Sequence, residues 1–191
     1  MKMRNFSTAS HMKYSFLIMM LHFSTFQLVA QKFQCRNGQI SFTSDAPLEL
    51  IKASSNALKG AIEPEQMTFA FAVKNRSFRG FNSPLQEEHF NEDYIESAKN
   101  EHSTFTGKII DKVDWTKNGK GTIRAKGILT VHGIAQERII KSDIEIRDKK
   151  LIVKAQFTVL LADHNIAIPK IVFQKIAEEV QLFINAEFIL Q

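Results

Sequence analysis

Residues 180–190 read VQLFINAEFIL. Val180, Leu182, Ile184, Ala186, Phe188 and Leu190 recur at every second position. A pleated strand turns that period into one greasy face, whereas a helix would scatter the same residues around its axis. Residues 151–161 repeat the pattern with Leu151, Val153, Ala155, Phe157, Val159 and Leu161. Further upstream, 123–131 alternates Ile123, Ala125, Gly127, Leu129 and Val131 against Arg124, Lys126 and Thr130. The run 105–115 places Phe105, Gly107, Ile109, Val113 and Trp115 on one side, with Asp111 as an interruption. The run 67–73 aligns Met67, Phe69, Phe71 and Val73. Residues 134–147 alternate less cleanly through Ile140, Ile144 and Ile146. Two more strands are expected over 39–44 and 48–62, with a bend at Ala46-Pro47.

These runs predict eight strands. Turn signals at Lys117-Asn118-Gly119, His132-Gly133 and Asp148-Lys149-Lys150 join them by short connections, so neighbours are antiparallel. Eight antiparallel strands with one apolar face close as a sandwich or as a barrel. The expectation is a mainly β chain with one or two short helices. Ser83-Pro84-Leu85-Gln86 is a capping box with proline at the first helical position. It opens an acidic surface helix with a break expected at Asn91. A second helix is expected from Pro169, with Ile171, Val172, Phe173, Ile176 and Val180 covering an apolar opening. No internal repeat or domain boundary divides the chain.

The chain has 191 residues, 44% hydrophobic and 24% charged, which excludes a disordered polymer. Its net charge of +5 invites a nucleic-acid reading. Lys2, Arg4 and Lys13 supply three of those charges, and residues 1–30 hold no acid. The remainder is close to neutral and gives little drive toward phosphate backbones. Residues 14–30, YSFLIMMLHFSTFQLVA, follow Lys13 and end on Ala30. That is the order of a secretory signal peptide, so the expected divisions are a 1–30 export signal and a 31–191 domain. Cleavage after Ala30 would put the product in the periplasm or the medium. Met12-Lys13 would itself make a normal signal start. The single cysteine, Cys35, excludes an intrachain disulfide and has no lipobox before it.

Candidate chemistry is sparse. His89, His102, His132 and His164 show no paired metal-ligand spacing, so no metal is expected. No nucleophile elbow and no phosphate-binding glycine loop occur, so no enzyme activity is expected. His132 at a hairpin turn is expected to bond its own backbone, and adjacent Asp163 and His164 would face opposite ways on a strand. Asn75-Arg76-Ser77 matches a glycosylation sequon by chance. Lys74, Arg76 and Arg79 form a basic cluster that suits either a solvated strand end or transient contact with an anionic membrane.

Three separated motifs occur in order: SFRGFNSPLQEEHFNEDYIESAKNEHSTFTGKI, GILTVHGIAQERI and FTVLLADHNIAIPK. Together they resemble the YceI-like family of polyisoprenoid-binding, lipocalin-like proteins, over residues 38–191. One departure is local: Asn100-Glu101-His102 stands where the family often carries Tyr-Pro. The resemblance implies an exported eight-stranded antiparallel barrel with an elongated apolar cavity, holding an isoprenoid or fatty-amide type amphiphile and no other cofactor. The tail would lie among Phe69, Phe71, Phe105, Ile109, Leu129, Phe157, Val159, Phe173 and Leu182, and the headgroup near His89, His132 or Asn165. From the residues alone a second reading stands: a solid core, with the acidic stretch 87–101 as a protein-contact surface and exposed strand edges allowing a homodimer.

Overall fold

The computed structural model describes residues 31–191; the expected export signal over 1–30 lies outside them. Eight strands form a closed barrel in chain order, each hydrogen-bonded to the next and the last to the first. They are β1 (Phe33–Asp45), β2 (Leu50–Glu63), β3 (Thr68–Lys74), β4 (His102–Ile109), β5 (Gly119–Val131), β6 (Ile134–Arg147), β7 (Lys150–Leu160) and β8 (Glu179–Leu190). All pairs are antiparallel, and β8 seals the sheet against β1 through Phe42↔Leu182 and Phe33↔Leu190. Closure gives every named strand a neighbour on both sides, although β2 meets β3 only over 59–63 and β6 meets β7 only over 142–147.

The inward residues are those that the alternation marks. Phe69, Val73, Ile109, Ile123, Leu129, Val153, Val159, Ala186 and Phe188 are all buried. Two expectations need correction. The strand expected over 105–115 ends at Ile109. The chain then loops beneath the barrel, where Trp115 reaches Phe33 at 6.0 Å between ring centroids. β1 also starts earlier than expected, so Cys35 is a buried strand residue.

The two ends of the barrel differ. At one end, the starts of β1, β3, β5 and β7 meet the ends of β2, β4, β6 and β8 in a dry plug. Phe33, Leu151 and Phe188 are almost wholly buried there. The first described residues and Gln191 also meet at this end, where the Gln191 N–H donates to the Lys32 carbonyl at 2.9 Å. Across the barrel wall, Gly107 faces Gly127 in the β4–β5 register. A Cβ on Gly107 would sit 2.1 Å from the Lys126 carbonyl oxygen, so the strands approach more closely than any side chain would permit.

At the other end, two long connections gather over the barrel. The first carries helix α1 (Pro84–His89), with the Ser83 hydroxyl accepting the Gln86 N–H at 3.2 Å. No break occurs at Asn91. The helix instead widens into a π turn over Phe90–Tyr94, where the Ile95 N–H reaches the Phe90 carbonyl. The second connection departs from expectation: Pro169 opens only a short 3-10 turn, Lys170–Val172. Proline at φ -60, ψ 140 starts extended, and the β-branched Ile171 and Val172 favour helix poorly. Val180 belongs to β8.

Candidate binding cavity

The upper part of the barrel is hollow. A cavity of about 710 Å³ opens between the two long connections. That is within the ordinary range for small-molecule sites. The reading of a solid core is therefore corrected: the plug is solid, but the space above it is not.

Eight of the nine expected tail residues line the cavity: Phe69, Phe71, Phe105, Ile109, Leu129, Phe157, Val159 and Leu182. They do so because each occupies an inward position of β3, β4, β5, β7 or β8. Phe173 does not. It follows the 3-10 turn and is 64% exposed, while its neighbours Val172 and Ile176 face the cavity instead. The helical spacing that singled out Phe173 does not apply to a turn. A few polar groups interrupt the apolar wall: Ser142, inward on β6 between Ile140 and Ile144, is buried and borders the cavity, as do buried Ser44 and Asn75.

A second set of lining residues carried no alternation signal. Phe42, Phe78, Phe81 and Phe90 meet beneath α1. Phe42 and Phe90 stack at 5.5 Å and 19°, and Phe81 and Phe90 lie 5.0 Å apart. Aromatic pairs at such separations add to the burial of their surface. Phe78 and Phe81 come from the SFRGF stretch and Phe90 from the π turn, so the cluster forms only in three dimensions. It turns an acidic, weakly amphipathic helix into a roof.

The rim is polar and lies mostly on α1. The Glu49 carboxylate accepts from Gln86 Nε2 at 2.9 Å and from Asn82 Nδ2 at 3.2 Å. His89 Nδ1 lies 2.6 Å from Asp93 Oδ2. Burial, and then the adjacent Asp93 charge, push the Tyr94 phenol above its ordinary value of 10, so it remains a hydrogen-bond donor. Lys175 completes the rim from the opposite connection. Of the three expected headgroup residues, His89 lines the cavity, whereas His132 and Asn165 do not.

His132 and Asn165 have structural surroundings instead. His132 does not bond its own backbone: its Nδ1 donates to the His164 carbonyl at 3.0 Å and its Nε2 faces Glu96 at 3.2 Å. It thereby ties the β5–β6 turn to the end of the helical connection. Asn165 ends a 3-10 turn in the left-handed region, φ 54. Asp163 and His164 are on that turn and not on a strand. Asp163 pairs with Arg138, and fully buried His164 donates from Nδ1 to the Ile134 carbonyl at 3.0 Å. Among the described residues, no group of three or more His, Cys, Asp or Glu side chains is placed to hold a metal ion.

The remaining sequence candidates resolve in the same way. Asn75 of the sequon is buried, and its amide donates to the Asn100 carbonyl at 2.7 Å while accepting from Ser103 at 2.8 Å. This asparagine pins the Asn100-Glu101-His102 stretch to β3. The basic cluster is largely neutralised: Lys74 pairs with Glu101 at 3.4 Å and Arg79 with Glu87 at 2.9 Å.

A family model described as a YceI-like domain matches residues 7–188. Among solved structures, the chain is similar to a polyisoprenoid-binding domain from Saccharophagus degradans implicated in plant cell wall breakdown. That match has 13% identity and a TM-score of 0.70, covering 85% of this chain and 99% of that one. It is also similar to BcnA from Burkholderia cenocepacia, at 13% identity and a TM-score of 0.65, covering 78% and 95%. The Campylobacter jejuni YCEI protein matches at 16% identity and a TM-score of 0.55, covering 71% and 82%. No curated protein sequence matches.

Proposed function

The chain belongs to the YceI-like family, and from that premise we propose that it is an exported binding protein that holds a single-tailed amphiphile in its barrel. The observation that carries this reading is the cavity of about 710 Å³ with an apolar wall and a polar rim. Burying a methylene contributes roughly 0.8 kcal/mol, so about ten buried methylenes outweigh the cost of immobilising a flexible tail. The tail lies among Phe71, Phe105, Leu129 and Phe157, and the headgroup meets His89, Gln86 and Tyr94. The relatives support a lipid-like ligand, since one of them is named for polyisoprenoid binding. Export rests on residues 1–30 acting as a cleaved signal.

Loading from a lipid surface is part of the same proposal. Leu48, Leu85, Ile171 and Phe173 are among the most exposed large apolar residues of the described chain. They are on neighbouring segments at the mouth. The Leu48 N–H donates to the Gln174 carbonyl at 2.8 Å, and Glu49 holds Gln86 beside Leu85. Residues 169–176, PKIVFQKI, add Lys170 and Lys175 and no acid, which favours an anionic bilayer. The membrane contact moves from the paired Arg79 region to this rim.

Extraction of the purified protein with organic solvent, followed by mass spectrometry, tests the main claim. A stoichiometric amphiphile is the expected result. Recovery of none, together with no uptake of a fluorescent fatty probe, would refute it.

A further inference from the structure

The cavity does not run the length of the barrel. Its floor is aromatic. Phe71 borders the open space and meets Phe188 edge-on, with centroids 5.6 Å apart and rings at 83°. Gly60 makes this possible: a Cβ there would fall 2.8 Å from Phe188 Cζ and 3.0 Å from Phe71 Cδ1. The missing side chain leaves room for two rings to lie across the barrel. Phe188 itself is 0% exposed, and beyond it Phe33 and Leu151, at 1% and 0%, border no open space, whereas Ile62, Phe69, Ile109 and Ile123 line the cavity down to this level. Interiors packed in this way do not yield to an incoming chain without repacking.

Resting on the amphiphile reading above, we infer that the Phe71–Phe188 floor sets the longest tail the protein accepts. The ligand class is then a single-tailed amphiphile of about four isoprene units, or a straight chain of equal bulk. A group the size of a water or a methylene fills about 30 Å³, so the cavity holds on the order of two dozen such groups. A nine-unit polyprenyl tail would leave roughly half its carbons outside the cavity, and each methylene drawn from its cyclodextrin carrier into water forfeits roughly fourfold in affinity.

Displacement of a bound fluorescent fatty probe from delipidated protein measures this directly. The competitors are farnesol, geranylgeraniol and solanesol (three, four and nine isoprene units), each delivered from cyclodextrin. The two shorter alcohols are expected to compete, and solanesol to bind at least about tenfold more weakly than geranylgeraniol. Phe71→Ala should narrow that gap by about threefold or more. Ala155→Phe, which puts a ring into the open space from β7, should push geranylgeraniol about tenfold below farnesol. Thermal melting reports whether Phe71→Ala folds, and Ala155→Phe tests the floor from the opposite direction. Solanesol competing within about threefold of geranylgeraniol in the unaltered protein would overturn the inference and leave the amphiphile reading standing. Uptake of neither probe nor alcohols would remove that reading, and the floor's role with it.

Discussion

Asp111 stands two residues beyond the end of β4, and its carboxylate accepts three donors of Arg124. The backbone N–H lies at 2.6 Å, Nη2 at 2.7 Å and Nε at 3.1 Å. The loop under the barrel is thereby fastened to β5. The Arg124 side chain first, and its N–H second, hold the Asp111 carboxyl below its ordinary value of 3.8. In the same loop the Thr116 hydroxyl, with Lys117, holds Asp114 down at about 2. A carboxyl whose folded value is depressed contributes stability above its unfolded value and loses it as pH falls through the folded one. The contribution of Asp111 is therefore complete at neutral pH and fades below about pH 4. Urea midpoints measured from neutral to acidic pH should fall less steeply below about pH 4 in Asp111→Asn than in the unaltered protein. Parallel curves would mean that the pair contributes nothing. This residue also shows why the sequence overextended the strand. Val113 and Trp115 keep the parity of the preceding alternation, yet Trp115 reaches the plug from a loop, and parity alone cannot separate the two cases.

The β6–β7 hairpin is the clearest element. Arg147 pairs with Lys150, leaving Asp148 and Lys149 as a two-residue turn at φ 50 and 65. Both are in the left-handed region that a right-twisted hairpin requires, and neither is glycine. A side chain there costs about 1 kcal/mol, partly offset in the unfolded chain. Lys149→Gly should therefore raise stability by about 0.5–1 kcal/mol, read as a higher urea midpoint at an unchanged slope. A lower midpoint would show that the lysine side chain matters for other reasons. Strands and turns of this kind were legible because a two-residue period and a turn signature are local properties. Helix α1 was legible at its start for the same reason, through Ser83 and Pro84. Its role was not, because the four rings it closes over come from β1, a loop and a π turn. The 169–176 segment misled for a related reason. Val172 and Ile176 turn inward while Ile171 and Phe173 turn outward, so their spacing imitates a helical stripe. What fixes the segment is remote: the Ala177 N–H donates to Ser44 Oγ at 2.9 Å.

At the scale of the whole molecule, one end is sealed and the other is open and greasy at its lip. That asymmetry makes a kinetic prediction. The double variant Ile171→Ser, Phe173→Ser should slow transfer of a fluorescent fatty probe from phosphatidylcholine vesicles doped with phosphatidylglycerol by about fivefold or more. Its equilibrium affinity for the same probe in solution should change by less than about twofold, since Phe173 does not border the cavity and Ile171, 91% exposed, touches it only at the lip. Equal transfer rates would mean that the lip takes no part in loading. The barrel and its eight cavity-lining residues could be read from alternation and family resemblance, but the depth of the cavity could not. Depth depends on which inward rings cross the axis, and that is set by a glycine two strands from Phe188. A practical consequence follows from where Lys32 and Gln191 meet. A surface anchor or fused partner joined at either point would hang from the base of the cup, leaving its opening directed away from the support and free to receive cargo.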